Sequence, residues 1–163
     1  MEVKKQQITH NFINQTVTSV LRVAIEMDGS SEILVESLVL TLSDGREFEV
    51  LVDQASVFVR QITPDEGLFA SFELEEGESL RRTELDFQVD VPFTIASVTE
   101  IWSGQEMSSF LTAIVLWDSN RNALLSLCTE TDELEVLTID ELWLRINEMP
   151  FHYGSVLHLW YDK

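Results

Sequence analysis

Residues 33–53 read ILVESLVLTLSDGREFEVLVD, and this stretch decides the fold. Ile33–Leu42 is apolar and rich in branched side chains, which fit a pleated surface. It stops at Ser43-Asp44-Gly45-Arg46, where Asp-Gly supplies the positive backbone angles of a tight turn. In the arm that follows, Phe48, Val50 and Val52 alternate with Glu47, Glu49 and Leu51. Side chains of a strand point to opposite faces in turn, so the arm has one buried face and one largely solvated face. The stretch is a β-hairpin.

Working outward, Thr16–Met27 fits either a helical stripe or a strand. Its density of Val, Ile and Thr decides for a strand, with only Ser19 breaking the alternation, and Asp28–Ser31 is a turn. Val57–Ile62, Leu68–Leu74, Leu80–Val89, Thr94–Trp102, Ala123–Thr129, Leu134–Leu137 and Ser155–Tyr161 read as further short strands. Phe110–Trp117 is nearly continuous in apolar residues, the signature of a central strand covered on both faces. Thr138-Ile-Asp-Glu141 is a capping box, and Ile139, Leu142, Trp143, Ile146 and Met149 recur at helical spacing, which predicts one late helix over 139–149 ended by Pro150. The expected fold class is α+β, mainly β: an antiparallel meander of about ten short strands and one helix. Residues 1–163 read as a single domain, with 1–12 as a loose N-terminal arm.

Charge is the strongest compositional signal. Ten Lys+Arg against 29 Asp+Glu give a net charge of −19. The deficit is spread along the chain, −8 over residues 1–82 and −11 over 83–163, and no Lys or Arg stands between Arg82 and Arg121. Binding a phosphate backbone needs clustered cations to displace counterions, so nucleic acid is an unfavourable partner, and an anionic membrane surface repels the chain for the same reason. A partner steered by charge is a basic one. One cysteine, Cys128, excludes an intrachain disulfide and reads as a small core residue. With no apolar run of membrane-spanning length and no signal-peptide pattern, the expected location is the cytoplasm.

The catalytic vocabulary is sparse. Six scattered glycines spell no phosphate-binding loop. His10, His152 and His158 match no familiar metal-ligand spacing, so no metal, cofactor or catalytic residue is assigned. The candidate binding residues are the turn acids Glu73, Glu75, Glu76 and Glu78, together with Trp102 and Trp160 near strand ends, where a ring can meet a partner. Trp117 and Trp143 belong to the core.

Ile101-Trp102-Ser103-Gly104, Trp117-Asp118-Ser119-Asn120, the strand after Asn122 and the Leu40–Gly45 hairpin resemble a class of small β-rich bacterial proteins of unknown function. The resemblance spans about half of the chain and departs at Ala123-Leu124-Leu125, where the class is more polar. It implies a β-rich fold and a bacterial origin and carries no activity or site residue. The functional expectation is a non-enzymatic acidic protein that binds a basic protein partner, analogous to bacterial immunity proteins. The alternatives are a carboxylate-based or metal-assisted hydrolase using pairs such as Glu73/Glu75 or Asp132/Glu133, and a structural subunit of a homo-oligomer.

Overall fold

The computed structural model describes residues 9–68, 73–85, 87–103, 110–130, 133–148 and 157–162. Strands β2 (Ser30–Leu42) and β3 (Glu47–Asp53) form the hairpin that residues 33–53 foretell, with Leu38 opposite Val50 and Leu40 opposite Phe48. Its turn is a three-residue loop. Only Gly45 has a positive φ, 91°, while the Leu42 amide donates to the Arg46 carbonyl and the Gly45 amide to Leu42. The two-residue turn with both angles positive lies one connection earlier, at Asp28 (47°) and Gly29 (80°), between β1 (Thr16–Met27) and β2.

β4 (Ser56–Gln61), β5 (Ser79–Thr83) and the two-residue β6 (Phe93–Thr94) complete the first sheet, in the order β4-β3-β2-β1-β5 with β6 on the start of β1. β7 (Ser97–Ser103), β8 (Phe110–Trp117), β9 (Ala123–Glu130), β10 (Glu133–Leu137) and β11 (Leu157–Asp162) form the second, in the order β10-β9-β8-β7-β11. Every pairing is antiparallel. The chain is divided in order: strands up to Thr94 make one sheet, strands from Ser97 the other. The crossing point is Ile95. It exchanges backbone hydrogen bonds with Asn14 and Gln15, and Ala96 then bonds to Trp117, so the strand expected over 94–102 is split in two. The strand expected over 80–89 ends at Thr83. Of the one expected over 68–74, residues 69–72 lie outside the described residues, and Leu68, Glu73 and Leu74 are not strand.

Alternation sorts the side chains into layers. Leu38 and Leu40 of β2 and Phe48, Val50 and Val52 of β3 meet Ile114 and Leu116 of β8 and Leu125 and Leu127 of β9 in a common core. The far face of the second sheet, Ile101, Ala113, Val115 and Cys128, is covered by Leu142 and Ile146 of α1 (Ile139–Asn147). The layers are therefore sheet, sheet, helix, and β8 is central and covered on both faces. The capping box is formed: the Thr138 hydroxyl accepts from the Glu141 amide at 3.2 Å, and the Glu141 carboxylate from the Thr138 amide at 2.9 Å. No helix among the described residues is long and apolar enough to cross a membrane.

Two expectations are corrected. The second face of β3 is not solvated: Glu49 and Leu51 are buried. Arg60 of β4 covers Glu49 with Nε and Nη2 at 3.1 and 2.7 Å and also donates to the Gly67 carbonyl, which draws the loop after β4 across this face. Of the N-terminal arm expected to be loose, residues 1–8 lie outside the described residues and 9–12 are ordered into the fold. From Thr9 onward it enters the interior, with Phe12 fully buried edge-on against Phe48 at 5.4 Å.

Candidate functional site

Glu73, Glu75 and Glu76 are exposed and Glu78 is half-buried. A carboxylate oxygen of Glu78 accepts the Glu75 amide at 2.8 Å, and the Glu78 amide returns to the Glu75 carbonyl at 3.1 Å, so the turn closes on itself around Gly77. Acid–base catalysis needs two carboxylates converging on a bond inside a cleft. Glu73 and Glu75 instead face solvent, and among the described residues no group of three or more His, Cys, Asp or Glu is placed to hold a metal ion. Asp132, from the other expected pair, lies outside the described residues.

Trp102 is half-buried against the core, and its indole N–H donates to Glu100 at 3.2 Å. It serves to hold Glu100, a fully buried carboxylate whose other oxygen accepts from both the amide (3.0 Å) and the hydroxyl (2.7 Å) of Thr9. Three donors offset much of the cost of burying the charge and tie the N-terminal segment to the second sheet. Trp160 sits on β11 opposite Thr99 of β7, its ring outside the described residues. The acidic turn belongs to the connection before β5 of the first sheet, whereas Trp102 and Trp160 belong to the second; the strand topology does not join them.

The arginines, which sequence reading treats as a shortage, organise the molecule. Arg46 pairs with Asp44 at 2.7 Å, Arg81 with Glu26 at 3.0 Å, and Arg145 with Glu135 at 2.6 Å. Arg82 grips Glu47 with two parallel bonds of 2.8 and 2.7 Å. β5 is three strand spacings from β3 in the ladder, about 14 Å on a flat sheet, so this contact requires the first sheet to curl strongly. Arg22 is buried and donates to the carbonyls of Val35, Ser37 and Leu134 at 3.4, 3.3 and 3.1 Å, the last across to the second sheet.

The described residues line open clefts, of which two bear on the arginines and the turn aspartates. One, of ≈ 550 Å³, lies between Arg46, Glu47, Gln61, Thr63 and Arg82, where both guanidinium groups already meet carboxylates. The other, of ≈ 510 Å³, lies between Trp117, Arg121, Leu124, Ser126, Val136 and Thr138. Beside each an aspartate closes a turn. The Arg46 amide, then its guanidinium, holds Asp44 below the ordinary carboxylate value, and the Asn122 amide, then the Asn122 side chain and the Asn120 amide, does the same for Asp118. No protein-family model, no curated protein and no solved structure matches this chain. What distinguishes the surface is its charge layout, with five arginines paired to carboxylates of the same chain and Asp28, Glu32, Glu75, Glu76, Glu84 and Asp140 exposed.

Proposed function

We propose that this protein is a non-enzymatic binding protein of the bacterial cytoplasm whose acidic surface engages a basic protein, in the manner of an immunity protein that neutralises a basic toxin. The observation that supports this reading is the use of the arginines. Arg46, Arg60, Arg81, Arg82 and Arg145 each pair with a carboxylate of the same chain, and Arg22 is buried on backbone carbonyls. Each such pair removes one acid with one base, so the excess of 29 acidic over ten basic residues is left standing, and Asp28, Glu32, Glu75, Glu76, Glu84 and Asp140 carry part of it on the surface. Such a field accelerates encounter with a cationic partner and repels polyanions.

A tagged chain is expected to recover a protein of high isoelectric point from the native host at low salt and to release most of it when salt is raised. Measured with the two purified proteins, association is expected to slow with ionic strength more than dissociation quickens. Recovery of chaperones alone, or tight salt-sensitive capture of bare RNA, would falsify the proposal.

A further inference from the structure

The β1–β2 hairpin is longer than the sheet beside it. β3 pairs with β2 only from Ser37 to Thr41, while β1 pairs with β2 out to Ser30. At the junction β2 makes a three-residue detour, with Arg22 opposite Leu38 and the next residue, Val23, opposite Leu34. Beyond it, residues 30–35 have β1 on one side and, among the described residues, no strand on the other.

The turn determines which backbone groups look outward. Asp28 and Gly29, both at positive φ, make a two-residue turn, so its flanking residues Met27 and Ser30 form a doubly hydrogen-bonded pair. Counting by twos, Ser30, Glu32 and Leu34 bond to β1, and Ser31 and Ile33 turn their amides and carbonyls to the open side, up to the detour at 35–37. Arg22 takes the Val35 carbonyl. Natural sheet edges are shielded by lysine, proline or a covering loop. This one carries neither residue between positions 30 and 36, and Ile33 and Val35 are 40 and 41% exposed along it.

We infer that Ser31–Leu34 is a docking edge that accepts an added strand, and that the incoming strand alternates apolar residues with lysine or arginine. This rests on the basic-partner reading and gives it a place. The edge itself dictates the alternation: up to the detour Ile33 lies on one face and Glu32 on the other, so an added strand meets hydrocarbon on one side and carboxylate on the other. A second copy of the chain fits worse, because it brings Glu32 close to its own counterpart on a molecule already at −19.

The test uses the full chain and two short synthetic peptides, one alternating lysine with valine and one alternating glutamate with valine. The lysine peptide is expected to slow hydrogen exchange at the Ser31 and Ile33 amides at least about tenfold, with little change at Ser30, Glu32 and Leu34, which already bond to β1. The glutamate peptide is expected to leave all five unchanged. Ile33→Pro removes an outward donor without touching the β1–β2 ladder, so it should abolish binding while leaving the thermal midpoint of the chain nearly unchanged. As a second variant, Glu32→Lys should weaken the lysine peptide and admit the glutamate one. Binding of the lysine peptide that protects amides elsewhere, or capture of a basic protein that survives Ile33→Pro, overturns the edge and leaves the basic-partner reading standing. Failure of both the peptide and the basic-protein capture removes the two together. Dimerisation seen by light scattering and lost in Ile33→Pro assigns the edge to a second copy and overturns the inference.

Discussion

Gln54 and Ala55 turn the chain from β3 into β4 with φ of 50° and 62°, a region that costs a residue bearing a Cβ about 1–2 kcal/mol. Neither is the Gly, Asn or Asp that such a turn prefers, so composition gives no sign of it; only the neighbouring strands reveal that a turn is there. Ala55→Gly is expected to raise stability by about 0.5–1 kcal/mol, the relieved strain less the extra freedom of glycine in the unfolded chain. Urea unfolding would check this: the midpoint should rise at constant slope, and a fall would mean that the turn is unstrained. Glu49 was illegible for a related reason. An alternating pattern tells which residues share a face, and a glutamate on the polar face reads as solvated. That Arg60 and the loop at Gly67 lie over it is long-range information absent from the local pattern.

The elements were legible where the pattern was local. The 33–53 hairpin, the central β8, the capped helix and most strand positions follow from periodicity, turn residues and the Thr138–Glu141 box. The single interruption of alternation in β1, at Ser19, marks a real register shift between Val17 and Ser19. The second shift, at Arg22, was hidden, since an arginine in a strand reads as a solvent-facing residue. Its burial makes sense only with the detour in β2, which frees the carbonyls of Val35 and Ser37, and with the edge strand β10, which offers that of Leu134. Arg22 thus ties the bend of the first sheet to the rim of the second. Arg22→Met, close in volume but without donors, is expected to cost about 3 kcal/mol by leaving buried carbonyls unpaired. Arg22→Lys should recover part of it, because all three carbonyls are bonded by the one nitrogen Nη1 and an ammonium also offers three donors, but on a shorter stem. Equal stability of the methionine variant in chemical denaturation would show that these carbonyls find water instead.

At the scale of the molecule, total charge was legible and its arrangement was not. Counting residues yields −19, but which arginines are engaged depends on pairings between strands far apart in sequence, such as Arg82 with Glu47 and Arg145 with Glu135. The order of strands and the stacking of two sheets were closed to sequence reading for the same reason, since a period of two names a face and not the neighbour. Self-repulsion at this charge opposes folding, so the thermal midpoint should climb as sodium chloride is raised from about 10 to 150 mM, where the screening length falls to about 8 Å. A flat or falling curve would mean that local ion pairs outweigh the overall field. In the acid range Asp44 and Asp118, both held below 3.8, contribute stability above that value and lose it as pH falls through their lowered ones. Asp118→Asn should therefore make stability fall less steeply on acidification below 3.8, as followed by thermal melts. Finally, the division of the strands at Ile95 gives the two sheets different birthdays. When Thr94 clears the ribosome the first sheet has all its strands, yet Leu38, Leu40, Phe48 and Val50 still await the residues that roof them. At about 5–20 residues per second the rest takes several seconds to arrive. For that interval the nascent chain carries a bare greasy platform, a natural foothold for chaperones, and the Thr9–Glu100 clasp can shut only after position 100 has emerged.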